Sequence, residues 1–340
     1  MDAPNWAYKD RSTLLNYFTS DKIRIFVIEG LEHNWHILKH FKPTDYIFVL
    51  IPCYFEEWNF NYGMKCLQFQ NPNIDKQNVI WICNTNENVE TCIHLKLNYV
   101  LSNQNCFLNE DVFKIKNDTN RVYNAVLNCR PENWKRPYLA KEIKNLAVLK
   151  GSNIRTKDYY DLNLLNPQFI NNDRRLNEAG VVNIYGQSKV GLIFSEKEGA
   201  CYSSSEYLLA GLPVISTKSE GGRDIWYNEK NSIICKANED SVLECVNEAI
   251  EKLESGYFNR EEIRQMHINQ SLIYRQNFIE KVDKIFVKHN ITDDSKAIFN
   301  RNFKKYHRMK KGMKTNDAIS ILKNDYKQKF IYMINKLKSI

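Results

Sequence analysis

Short, uninterrupted apolar runs recur along the chain, separated by longer segments in which apolar and polar residues mix. Lys22–Glu29 (KIRIFVIE), Tyr46–Ile51 (YIFVLI), Val79–Cys83 (VIWIC) and the weaker Asn98–Leu101 (NYVL) read as strands. Runs that are apolar at every position, rather than at alternate ones, suit strands covered on both faces, as in parallel sheets. Glu32–His40 and Asn109–Ile115 read as helices, and Pro52 stops the second run because proline brings no amide to a sheet. The cycle then restarts. Val122–Leu127 (VYNAVL), Leu146–Leu149, Val190–Phe194 (VGLIF), Pro213–Ser216 and Ser232–Cys235 read as strands. Tyr138–Lys144, Leu176–Ala179, Ser203–Ala210 and Glu239–Leu253 read as helices. Two successive sets of alternating strand and helix predict two doubly wound α/β domains. The expected division is residues 1–120, residues 121–290 and a basic helical tail over 291–340, with the first boundary near Asn117–Asn120. In the tail, Ile319, Leu322, Tyr326, Phe330, Met333 and Leu337 recur at spacings of three and four among lysines, the pattern of a basic amphipathic helix.

Composition narrows the class. A chain of 340 residues with 43% hydrophobic content has room for two packed cores, and no apolar run reaches the length of a membrane span. The opening MDAPNWAYKDRSTLLNYF lacks the continuous apolar stretch of a secretory signal, so the expected location is cytoplasmic. Nine cysteines without a C-x-x-C pair argue against a zinc site or a disulfide framework. The net charge of +8 is unevenly placed: residues 301–340 hold 12 basic and 2 acidic side chains, leaving 36 basic and 38 acidic elsewhere. A nucleic-acid binder wants its positive charge on the folded body, so no nucleic-acid partner is expected.

Residues 195–217 read SEKEGACYSSSEYLLAGLPVIST. Ser203-x-x-Glu206 has the form of a capping box, with Gly211 and Pro213 ending the helix it opens. Capping leaves Glu198-Gly199 and the extra Ser204 and Ser205 unexplained. A helix that starts beyond the carboxyl end of a buried strand also turns free amides and a positive dipole end toward an anion. Small serines let a phosphate approach, and a carboxylate accepts two hydrogen bonds from a vicinal diol of a sugar or a ribose.

The stretch resembles the E-x7-E signature of retaining GT-B glycosyltransferases of the family-4 type (glycosyl transferases group 1). Their pattern E-G-F-G-x-x-x-x-E-A-M-A-C-G-x-P-V-V is met by Glu198-Gly199-Ala200-Cys201, then by Glu206-Tyr207-Leu208-Leu209-Ala210-Gly211-Leu212-Pro213-Val214-Ile215, and a glycine loop follows at Gly221-Gly222. Upstream, Arg130 and Lys135 in NCRPENWKR keep the spacing of the family's G-R-x-x-x-x-K-G. Cys201, Cys129 and Arg136 stand where that pattern has glycines. The resemblance is clear over Val122–Cys235 and implies two Rossmann-like domains facing a cleft.

It also implies a nucleotide-diphosphate sugar donor. Glu206 would hold the ribose, Glu198 the donor sugar, and Arg130 and Lys135 the departing diphosphate, helped by amides near Ser203 and Ser204. No metal and no cofactor are implied. From the first domain, the loop Glu29-Gly30 through His36 would face the cleft, with His33 or His36 as contacts and Asp45, Glu56 and Glu57 as further candidates. Tyr54, Phe55, Trp58, Phe60 and Tyr62 read either as an acceptor platform or as core. The implied activity is sugar transfer to a glycan or lipid-linked acceptor, in surface polysaccharide or similar synthesis. The tail is either packed on the first domain, a partner helix, or a contact with an anionic membrane face. A catalytically silent binding module and a same-fold phosphorylase or epimerase remain alternatives.

Overall fold

The strongest apolar runs of the first hundred residues become adjacent buried strands. The structure, a computed structural model, describes residues 1–52, 56–116, 120–151, 157–171 and 175–323. It divides into two units, Met1–Phe107 joined by the chain from Arg275 onward, and Leu108–Tyr274.

In the first unit β1 (Arg11–Thr13) precedes β2 (Leu15–Thr19), β3 (Arg24–Glu29), β4 (Tyr46–Leu50), β5 (Val79–Cys83) and β6 (Asn98–Leu101). Strands β2 to β6 form a five-stranded sheet in that order, antiparallel only at β2–β3. Every residue of β4 and β5 is buried, which is why neither alternates. Glu32–His40 forms 3-10 turns broken at Asn34, not the expected α-helix. The Asn34 amide donates to the carbonyls of Glu29 and Gly30 at 2.7 and 2.9 Å, a side chain competing with the helix for backbone partners. Helices α1 (Glu57–Gln70) and α2 (Asn86–His94) carry weak sequence periodicity and were not expected. Asn109–Ile115, expected as a helix, forms turns.

The second unit contains β7 (Tyr123–Cys129), β8 (Leu146–Lys150), β9 (Phe169–Ile170), α3 (Glu178–Gly186), β10 (Ser188–Ile193), α4 (Tyr202–Leu209), β11 (Val214–Thr217), β12 (Ser232–Cys235) and α5 (Glu239–Glu254). Its six strands are all parallel and run β12-β11-β10-β7-β8-β9 across the sheet. This is the doubly wound order, and it reverses between β7 and β10. Tyr138–Lys144 is reduced to a 3-10 turn at Pro137–Ala140.

Gly191 in β10 sets how closely α4 approaches the sheet. A Cβ there would overlap the fully buried ring of Tyr207, whose hydroxyl accepts from the Asn128 amide at 2.7 Å. Gly191→Ala is expected to cost roughly 1–3 kcal/mol in denaturant unfolding by overpacking. An unchanged midpoint would contradict this packing.

The chain re-enters the first unit at Arg275, within α6 (Arg260–Lys288). It continues through α7 (Ser295–Lys305), β13 (Gly312–Lys314), which pairs antiparallel with β1, and α8 (Thr315–Leu322). The consecutive segments 1–120, 121–290 and 291–340 therefore do not correspond to the two units. The reason is the aromatic core: Phe278 packs on Tyr17, Phe48 and Phe107 with centroids 5.5, 4.9 and 5.4 Å away. Of the expected tail helix, Ala318, Ile321 and Leu322 are buried in a separate cluster of the first unit, with Phe26, Trp35, Leu38 and Trp81. Tyr326, Phe330, Met333 and Leu337 lie outside the described residues, as do the expected boundary residues 117–119. Among the described residues, no helix is long and apolar enough to cross a membrane.

Candidate functional site

Ligands of open α/β sheets bind beyond the carboxyl ends of the strands, where the strand order reverses. In the second unit those ends are β7 and β10, and the loops that follow them carry Arg130, Lys135 and Glu198. The structure brings these residues together. Lys135 Nζ donates to Glu198 Oε2 in a largely sheltered ion pair. Trp134, unremarked in the sequence, meets both cations: the Arg130 guanidinium is 5.2 Å and the Lys135 ammonium 4.1 Å from its ring centroid. Glu132 ties this loop by accepting from Trp134 Nε1 at 2.9 Å and pairing with Arg130 at 3.2 Å. Arg130 itself keeps about half of its side chain exposed (54%), available to a ligand.

Arg136 replaces the expected glycine with φ of +50°. Its guanidinium holds that left-handed turn, donating to the Phe194 carbonyl at 2.5 Å and to Thr217 Oγ1 at 2.8 Å. Cys201, standing at another family glycine, likewise has φ of +60°. The local conformation that favours glycine is therefore kept at both positions.

Cys201, not Ser203, is the N-cap of α4, and it makes no side-chain cap. The capping-box reading of Ser203 and Glu206 is thus overturned: Ser203 lies inside the first turn and Glu206 one turn further on. Glu206 is buried (5% exposed) and accepts from the Tyr185 hydroxyl at 2.9 Å, which accepts from Asn128 Nδ2 at 2.7 Å. Burial, then the Glu206 charge, hold the Tyr185 phenol well above its ordinary range, so it remains a donor. Ser204 is fully buried and bonded to the Tyr227 hydroxyl at 2.7 Å. Its side chain is occupied in the fold, while Ser203 stays partly exposed.

Backbone bonds fasten the Glu198-Gly199 loop to the Gly221-Gly222 loop. Glu198 N donates to Glu220 O at 2.9 Å, Glu220 N to Glu196 O at 2.8 Å, and Gly222 N to Gly199 O at 2.9 Å. Gly221 has φ of +106°, open only to glycine. Behind them sits Arg223, fully buried, donating to the carbonyls of Ser195 and Thr217 and to Asp224. Burial alone would lower its pKa, but Tyr227 and Asp224 carry it above its ordinary value. Burial pushes the thiols of Cys129 and Cys201 up to about 12 and 11, so both stay protonated near neutrality and neither is an activated nucleophile.

The candidates of the first unit separate. Gly30 has φ of +65° and abuts the His33 ring, whose Nδ1 is 2.9 Å from Oε1 of buried Glu32. His36 points elsewhere, into a basic concavity described below. Asp45 is not a site residue: it takes two hydrogen bonds from buried Arg24 at 2.7 and 2.5 Å. Phe60 is core against Trp81, and Trp58 is exposed. Glu56 and Glu57 open α1. Tyr54 and Phe55 lie outside the described residues. Among the described residues, no group of three or more His, Cys, Asp or Glu could hold a metal ion.

No protein-family model matches the sequence, and no curated protein matches it. Solved structures do. The Anabaena Alr3699/HepE structure in complex with UDP shares 12% identity over 71% of this chain and 72% of that one, with a TM-score of 0.52. TarM from S. aureus shares 12% identity over 75% of this chain and 54% of that one, also at 0.52. The fold is GT-B. The pneumococcal O-GlcNAc transferase GtfA in complex with UDP and GlcNAc is similar at 14% identity over 72% of this chain and 53% of that one, with a TM-score of 0.49. The chain thus spans about half the length of GtfA and TarM. Within this GT-B chain, sequence reading missed Trp134, Tyr185 and Arg223, since each is recognised by what it touches. A tryptophan between two motif cations was the one available signal.

Proposed function

We propose that the chain is a retaining glycosyltransferase of the family-4 type. It would take a sugar from a nucleotide-diphosphate donor held in the second unit and pass it to an acceptor hydroxyl. The observation that carries this reading is the placement of Arg130, Lys135 and Glu198 at the two strand ends where the sheet order reverses, with buried Glu206 on the helix that follows. The HepE complex, of similar fold, contains UDP, which favours a uridine nucleotide.

In this reading Glu206, oriented by Tyr185, accepts the ribose hydroxyls. Lys135 is paired with Glu198 while the donor is absent. A bound diphosphate competes for the ammonium, and Glu198 is then released to accept from the donor sugar. The bond from the anomeric carbon to the diphosphate oxygen breaks as the acceptor oxygen bonds to the same face. The acceptor proton passes to the departing oxygen. Arg130, Lys135 and the first-turn amides of α4 at Ser203 stabilise the charge that develops, doing what a metal would otherwise do. A metal-independent reaction on a glycan or lipid-linked acceptor, serving polysaccharide synthesis from the cytoplasmic side, completes the proposal.

The test is calorimetric titration of UDP, GDP, ADP and CMP, each with and without Mg²⁺, on the wild type and on Glu206→Ala. One diphosphate is expected to bind without metal and to lose about tenfold or more in affinity in the variant, since about 1.4 kcal/mol per decade is within reach of one charged hydrogen-bonding partner. No binding of any nucleotide to folded protein would favour a silent module.

A further inference from the structure

The first unit carries a concavity of about 560 Å³ lined by Lys9, Asp10, His36, Lys39, His40 and Lys314, together with the start of α8. Three elements build it. Strand β1 pairs with β13 so that Arg11 lies opposite Lys314. The Thr315 amide donates to the Asp10 carbonyl at 3.2 Å, which fixes α8 beside the segment that ends in Lys9 and Asp10. The 3-10 turns over Glu32–His40 bring His36, Lys39 and His40 to the same wall.

Exposed lysines are ordinarily solvated singly or paired with carboxylates. Here they are gathered. Among the described residues, no ion pair engages Lys9, Lys39, Lys314 or nearby Lys323, and Asp10 is the one carboxylate of the lining. His36 and His40 are half-buried. Burial first, then the charges of Lys323 and Lys39, keep the His40 imidazole below its ordinary pKa, as expected where positive charge is crowded and not neutralised.

We propose that this concavity binds phosphate groups, as phosphomonoesters or phosphodiesters. Three ammonium groups and two imidazoles supply point charges and rotatable donors, and a phosphate offers several acceptor oxygens to satisfy them. The size suits a phosphate with part of the residue that bears it. If the sugar-transfer reading above holds, the phosphate belongs to the acceptor, and that extension alone rests on that reading.

The experiment uses the full chain and the double variant Lys39→Gln/Lys314→Gln, whose exposed side chains make no fold-supporting contact. Inorganic phosphate and glycerol 3-phosphate are titrated at low salt, and vesicles of phosphatidylglycerol or phosphatidylcholine are cosedimented. The UDP titration on both proteins reports separately on the second unit. The expected result is at least about tenfold weaker binding of the soluble phosphates to the variant, with the UDP response unchanged. Loss of phosphatidylglycerol binding in the variant as well would assign the phosphate to a lipid headgroup. Unchanged vesicle binding with weakened soluble binding would assign it to a soluble ester. Equal behaviour of the two proteins toward every phosphate probe, or no binding by the wild type, would overturn the site whatever UDP does.

Discussion

Glu198→Gln is expected to lower the turnover of sugar transfer by about 10²–10³-fold, the usual loss when one group aimed at the reacting centre is removed. Affinity for the nucleotide diphosphate should stay within about threefold of wild type. Glutamine keeps the shape of the side chain and still accepts from Lys135, so the loop should hold. What it loses is the charge that competes with the diphosphate for Lys135 and then accepts from the donor sugar. A split between a collapsed kcat and a preserved nucleotide affinity is the signature of that role. If Glu198 merely anchored Lys135, the glutamine would leave turnover almost intact and the assignment would fail.

The largest expected stability loss comes from Arg223→Leu, at about 3–5 kcal/mol in denaturant unfolding. Arg223 is fully buried and donates to Ser195 O at 2.9 Å and to Asp224 at 2.8 Å, as well as to Thr217 O. Leucine fills much of the volume yet removes the donor of the Ser195 carbonyl and one donor each from the Thr217 carbonyl and the Asp224 carboxylate, which keep only Ser216 Oγ and Ser219 N. Each uncompensated group costs about 1–3 kcal/mol. Arg223→Lys should recover part of the loss, because one ammonium reaches one carbonyl but cannot span all three partners. A leucine variant as stable as wild type would show that water satisfies these groups instead.

The parallel strands were legible because burial on both faces writes itself as unbroken apolar runs, as in YIFVLI and VIWIC. The grouping of Arg130, Lys135 and Glu198 in the second unit was legible for a related reason. Its residues sit in short loops at fixed distances after those strands, so spacing along the chain survives as proximity in space. The α-helices α1 and α2 left little trace, because EWNFNYGMKCLQFQ buries only part of a mixed face. The 3-10 turns after β3 depend on one asparagine bonding two carbonyls, which no periodicity reports. The cap at Cys201 was misread because serine is the better cap by preference, whereas the fold places a left-handed residue there. Tyr185 acts through Glu206 and Asn128, and Arg223 through Ser195 and Thr217, partners separated from them along the chain, whereas Trp134 acts within its own loop and was signalled only by its place between Arg130 and Lys135.

The division of the chain has a consequence for biosynthesis. Because the first unit is completed only by residues from Arg275 onward, a ribosome releases the whole of the second unit before the first can close. Leu108–Tyr274 is continuous and owes nothing to order of emergence. The strands of the first unit must wait through that interval without Phe278 and Phe299 against Phe107, and without the Leu322 carbonyl that accepts from Arg24 at 2.7 Å. Its apolar sheet is then the segment most exposed to mispairing. Chains cut short near the middle of α6 should therefore burden chaperones and proteases, because their second unit is whole while their first has nothing to close it.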